Sequence, residues 1–133
     1  MVKRWWMVVG VAIMLVGSAS GGQGTTVAVS EADSFLGTWA IAMTVPKGAQ
    51  ETIRIWDNAG RVAASAQAQQ FPPIVASDIA KMGKYLVLNV GRFENGKPIQ
   101  AIIILAHEGE DMTMIQELEG STVTKRGSGK RQQ

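Results

Sequence analysis

Hydrophobic and polar positions alternate along most of this chain, most clearly over residues 35–45. Trp39, Ile41, Met43 and Val45 fall on one side of an extended backbone, with Thr38, Ala40, Ala42 and Thr44 on the other. That period of two is the mark of a strand with one buried face.

The same period recurs in shorter pieces. In residues 51–56, Ile53 and Ile55 oppose Thr52, Arg54 and Trp56. In residues 61–69, Val62, Ala64, Ala66 and Ala68 oppose Arg61, Ala63, Ser65, Gln67 and Gln69. Alanine and glutamine also suit a helix, but strict alternation among strand neighbours predicts a strand. Phe71-Pro72-Pro73 then interrupts pairing, because proline cannot donate to a ladder. Residues 74–80 read as a strand, or alternatively as a short helix capped by Ser77 and stopped by Gly83. Residues 85–90 are apolar on both faces apart from Asn89, residues 99–106 are the most apolar stretch, and 112–118 and 121–125 complete the set. Turn-forming residues separate these runs, including Asp57-Asn58-Ala59-Gly60 and the hairpin-favouring Asn95-Gly96.

Eight short strands on tight connections predict an all-β fold, an eight-stranded antiparallel up-and-down barrel. Closure removes the unpaired strand edges. A two-sheet β-sandwich is the alternative architecture.

The ends of the chain read differently. Lys3 and Arg4 precede an apolar run over residues 5–16, broken only by Gly10 and followed by Gly17-Ser18-Ala19-Ser20. This is the pattern of a cleavable secretory signal over residues 1–20. A run of about a dozen residues is shorter than the roughly 20 that span a bilayer, although the same segment would also serve as an uncleaved anchor. A secreted or periplasmic location follows, with membrane contact only through the signal segment if it is retained. Residues 21–29 read as a flexible leader, 30–126 as the barrel and 127–133 as a disordered basic tail. Ser30-Glu31-Ala32-Asp33 resembles a capping box, which makes Asp33 structural.

The chain has no cysteine, so disulfides and a lipidated cysteine are excluded and the apolar core must hold the domain. The overall charge of +2 is misleading: residues 21–124 carry 7 basic and 11 acidic side chains, a difference of −4. A body of that sign is not steered toward nucleic acid.

Leu36-Gly37-Thr38-Trp39 resembles the Gly-X-Trp motif that opens the first barrel strand of lipocalins. The capped turn before it is similar to the short helix that plugs one barrel end in that family. The resemblance implies that a basic residue of the last strand, Lys125 or Arg126, packs over Trp39. The Thr-Asp-Tyr-type loop motif of typical lipocalins is missing, so the likeness is to small secreted bacterial domains of the broader calycin type. It implies a small apolar molecule bound inside a barrel.

The candidate lining of that interior is Trp39, Met43, Ile53, Ile55, Ala64 and Ala66, with Leu88, Met112 and Met114. Tyr85, Asn89 and Gln116 are the candidate polar groups that orient a ligand. Methionines adapt to irregular ligands but also fill cores. The alanine-lined third strand leaves volume that either the opposite wall or a ligand occupies. His107 is the sole histidine and sits with Glu108, Glu110 and Asp111 in a loop that reads as solvated and acidic, so no metal or cofactor is expected. No Gly-X-Ser-X-Gly elbow, Ser-X-X-Lys or P-loop is present, and no catalytic residue is assigned. Binding of an apolar ligand is the leading functional reading. A non-binding interaction module using the outer face near Ile102 and Ile104 is the alternative, and an isomerase or cyclase acting on a lipid-like substrate is a third.

Overall fold

The computed structural model describes residues 26–132 of the chain. The expected signal segment 1–20 lies outside these residues. The fold is all-β, a single strongly curled antiparallel sheet of nine strands. They are β1 (Gly37–Val45), β2 (Lys47–Asn58), β3 (Arg61–Ala68), β4 (Ile74–Val75), β5 (Asp78–Met82), β6 (Tyr85–Glu94), β7 (Lys97–Glu108), β8 (Asp111–Leu118) and β9 (Thr124–Arg131). The order across the sheet is β4-β3-β2-β1-β9-β8-β7-β6-β5. First and last strands therefore pair, and the two edges of the sheet are strands consecutive in the chain. All nine strands share this one sheet, so the fold is not a two-sheet sandwich.

The expected closed eight-stranded barrel is corrected at one place. The fourth predicted strand splits into β4 and β5 as the chain changes partners. Pro72 and Pro73 delay pairing with β3 until Ile74, and only Ile74 and Val75 form that ladder. Ala76 N–H donates to the Ala64 carbonyl of β3 at 2.8 Å, and Ser77 N–H donates to the Asn89 carbonyl of β6 at 2.8 Å. The sheet is thus a barrel-like curl, open in its ladder between β4 and β5 and bridged there by these two residues. Asn95 and Gly96 both have positive φ, as the predicted β6–β7 turn requires.

Both predicted ends of the domain move. The tail expected to be disordered from Gly127 is strand: β9 pairs with β1 and β8 as far as Arg131 and Lys130 respectively. Its polar, glycine-rich composition hides a role that depends on close approach. A Cβ on Gly129 would lie 1.7 Å from the Ala40 carbonyl oxygen, and one on Gly127 would lie 2.8 Å from that of Ala42. At the other end, the described part of the expected flexible leader is tied down. Val27 is buried and its carbonyl accepts from Val62 N–H at 2.9 Å. The turn that follows is two short 3-10 segments, Val29–Glu31 and Asp33–Phe35. Its cap is also shifted from Ser30: the Glu31 carboxylate accepts from Ala28 N–H at 2.9 Å.

Inward-facing side chains form one contiguous core that runs from Phe35, Trp39 and Ile41 through Ile53, Ile55, Val62, Ala64 and Ala66 to Leu86, Leu88, Ile103, Leu105, Met112 and Met114. The hairpin loops gather at two ends. One end carries the 3-10 turn and the β2–β3, β5–β6 and β7–β8 turns. The other carries the β1–β2, β3–β4, β6–β7 and β8–β9 connections.

Candidate functional site

The end that carries the 3-10 turn is closed over the core, with a groove of about 360 Å³ on its outside lined by Ser34, His107, Glu110, Lys130 and Arg131. Trp39 is fully buried, and its indole N–H donates to the Phe35 carbonyl at 2.9 Å. His107 meets Trp39 edge-on at 5.5 Å between ring centroids and Phe35 at 6.1 Å. The Arg131 guanidinium stacks over the indole at 4.6 Å from its centroid and donates to the Ser34 carbonyl at 2.8 Å. A basic residue of the last strand does cover Trp39, but it is Arg131 in place of Lys125 or Arg126, because β9 continues beyond the predicted end. Gly37 is needed beneath it: its φ is +129°, and a Cβ there would lie 2.9 Å from Arg131 Nε. His107 is thus a half-buried packing residue and not part of a solvated loop. Among the described residues, no group of three or more His, Cys, Asp or Glu side chains is placed to hold a metal ion. On the exposed surface beside this end, Lys130 bonds Asp111 at 2.5 Å. That hydrogen bond, reinforced by the Asp111 charge, raises the lysine above its usual 10.5. The lysine's share of this contact is therefore present at neutral pH and is lost as pH rises through the raised value.

The predicted lining divides in two. Trp39, Met43, Ile53, Ile55, Ala64, Ala66, Leu88, Met112, Met114 and Gln116 are all buried. Tyr85 and Asn89 are not part of this interior. Leu86, Leu88 and Val90 take the inward phase of β6, which turns Tyr85 and Asn89 outward. Tyr85 is 39% exposed under the Lys84 ammonium. Asn89 lines an outer groove of about 580 Å³ with Gln100, Ile102, Glu117 and Val123. Asn89 is the polar residue of the run 85–90, and period two puts it and Tyr85 opposite Leu88, so the three could not all line one interior. Ala64 and Ala66 lie within the core beside their ladder partners Ile55 and Ile53, in one buried cluster with Leu86 and Leu88.

Solvent reaches the inner face at the opposite end. A cavity of about 210 Å³ opens there between Met43, Ala49, Glu51, Ala68, Gln116 and Lys125. Two of the side chains that line it, Glu51 and Gln116, are buried polar groups of the inner face. Arg92 on β6 donates to the Glu51 carboxylate on β2 at 2.8 Å, an ion pair between strands that share no ladder. Gln116 on β8 is 1% exposed, and its Oε1 has no hydrogen-bond partner. Arg92 Nε is likewise buried and unpaired. A buried acceptor without a donor costs about 1–3 kcal/mol, so this is where the structure has polar capacity to spare.

Sequence reasoning found Gln116 but missed Glu51 and Arg92, since charged residues near strand ends read as surface. The signal was their phase. Glu51 follows Ile53 and Ile55 in period two, and Arg92 follows Leu86, Leu88 and Val90. Removing one partner should leave the other charge stranded. Arg92→Met is expected to lower unfolding free energy by about 3 kcal/mol, and the double variant with Glu51→Leu to recover most of that loss. Urea denaturation of the three proteins tests this, and additive losses would show that the pair does not interact.

No protein-family model matches this chain, and the curated proteins include none that matches it.

Proposed function

We propose that this chain is an exported, lipocalin-like binding protein that takes a small amphiphilic molecule at the open end of its curled sheet. The observation that carries the reading is the buried, unpaired Gln116 carbonyl oxygen in the wall of the open-end cavity. Apolar contact comes from Met43, Ala49 and Ala68. An incoming hydroxyl or N–H would satisfy Gln116, which is the usual division of labour in a ligand site: mostly apolar walls and a few placed polar groups. Support for the lipocalin-like class comes from Gly37-X-Trp39, the 3-10 plug and the Arg131 stack, which together close one end and leave the other to receive a ligand.

The cavity is smaller than the roughly 300–1,000 Å³ of drug-sized sites. Its occupant is therefore a short molecule or the head of a longer one. Binding, without catalysis, is what these groups are suited to: the Glu51 carboxylate is already held by Arg92, and an amide is neither an acid nor a base near neutral pH. Calorimetric titration with n-hexanol, hexylamine and hexanoate provides the test. The alcohol or amine should bind, and Ala68→Phe, which fills the cavity from a half-buried position, should weaken binding by about tenfold or more. Failure of all three to bind, or equal binding by the Ala68→Phe protein, would sink the reading.

A second reading rests on the outer groove, where exposed Ile102 and Val123 lie beside Glu117 and Glu119. That surface suits a protein partner, and charge reversal at both glutamates would abolish such an interaction without touching the open-end cavity.

A further inference from the structure

We infer that the open end of the molecule is a docking surface for an anionic lipid membrane. Each of the four connections at this end carries an exposed apolar side chain. They are Val45 at the β1–β2 turn, Phe71 at 65% exposure on β3–β4, Phe93 at 71% at the end of β6, and Val123 on β8–β9. Phenylalanines at two separate loop tips do not serve the core, and water is a poor environment for them. At the sealed end the exposed large hydrophobics are Met82 and Tyr85, and both flank the single β5–β6 turn.

Charge divides along the same axis. The four open-end connections and their flanks bear Lys47, Lys97, Lys125 and Arg126 against Glu94, Glu117 and Glu119. The sealed end bears Glu31, Asp33, Asp57, Glu108, Glu110 and Asp111 against Arg61, Lys81, Lys84, Lys130 and Arg131. The open end thus has a small basic excess where the phenylalanines project, and the far end a small acidic one. Basic side chains around protruding aromatic and aliphatic groups are the chemistry of a surface that settles at the headgroup boundary of anionic lipid. In that orientation the cavity of Met43, Ala68 and Gln116 would face the bilayer. This geometry would let an amphiphile pass between membrane and protein without crossing water. The docking surface itself stands on the rim residues and not on the identity of the ligand.

The chain's lack of cysteine makes site-specific labelling straightforward. An environment-sensitive fluorophore is placed on Phe71→Cys, Phe93→Cys or, at the sealed end, Asn58→Cys in the full chain. Each protein is then mixed with phosphatidylglycerol or phosphatidylcholine vesicles, with and without brominated acyl chains. The described chain begins beside Gly60 and Arg61, so any insertion of the apolar N-terminal stretch would act first on the label at 58 and would work against the expected pattern. The labels at positions 71 and 93 should shift to the blue and be quenched by brominated phosphatidylglycerol, while the label at 58 stays unchanged. A Phe71→Ser/Phe93→Ser protein should partition onto the same vesicles about tenfold less than the parent. Silent rim labels on vesicle-bound protein would overturn the proposal, as would equal quenching at position 58 or an equal response to phosphatidylcholine. So would a blue shift without lipid accompanied by dimers in light scattering, which would assign the rim to a second copy of the chain.

Discussion

Replacing Gly129 with alanine is expected to lower the free energy of unfolding by about 3 kcal/mol or more, at the upper end of the range for overpacking. The added Cβ would sit 1.7 Å from the Ala40 carbonyl oxygen and 2.9 Å from the Ile41 Cα. Both are backbone atoms, so no rotamer change relieves the clash. Either β9 lifts from β1 or the ladder between first and last strands breaks at its middle. Gly127→Ala meets the Ala42 carbonyl oxygen and the Met43 sulfur at 2.8 Å. Its cost should be smaller, because the methionine side chain can move. Ser128→Ala, on the exposed face between the two glycines, should stay within about 0.5 kcal/mol of the parent. Urea midpoints of the four proteins check the ranking. A Gly129→Ala protein as stable as its parent would mean that β9 does not lie against β1 in solution.

Trp39→Ala should cost about 3–5 kcal/mol, the range for truncating a large buried aromatic. The indole is fully buried and makes three distinct contacts, with the Phe35 carbonyl, the His107 edge and the Arg131 guanidinium. Removing it would open the sealed end and release the 3-10 turn. Arg131→Met should cost less, about 1 kcal/mol for the stacked cation and about as much again for the hydrogen bond to Ser34. Because the two side chains touch, their effects should not add. In the Trp39→Ala background the arginine substitution should lose the stacking part of its effect. A double-mutant cycle by chemical denaturation measures this, and zero coupling energy would show that the stack contributes nothing.

How much of this was legible beforehand can be judged from particular residues. Trp39, Ile41, Met43, Ile53 and Ile55 declare their inward phase by alternating with polar neighbours, and the structure buries all five. In β6, over residues 85–90, the alternation is carried by Asn89 alone, since Tyr85 and Val87 on the same face are apolar, so the phase that exposes Tyr85 and Asn89 was only weakly marked. Pro72 and Pro73 announced an interruption, but not that the chain would change partners at Ala76 and Ser77. That switch depends on β3 and β6 coming to either side of the same short segment. The open-end site was half legible. Gln116 stands out in an apolar run, whereas Glu51 and Arg92 reveal themselves only when their phase is followed to the strand ends.

By itself the sequence determined that the chain is all-β, where most hairpins turn, and which face of the alternating strands is oily. Those properties are written in neighbours two to four residues apart, through side-chain period and turn chemistry. Only the tertiary structure decided that Gly127 and Gly129 belong to the strand that joins the two halves of the sheet, that Arg131 covers Trp39, and that Glu51 and Arg92 meet near the buried amide of Gln116. Each of these depends on contacts between residues distant in the chain. A glycine required by a close approach, or a charge required by a partner across the interior, looks in sequence like any residue of a polar tail or a strand end.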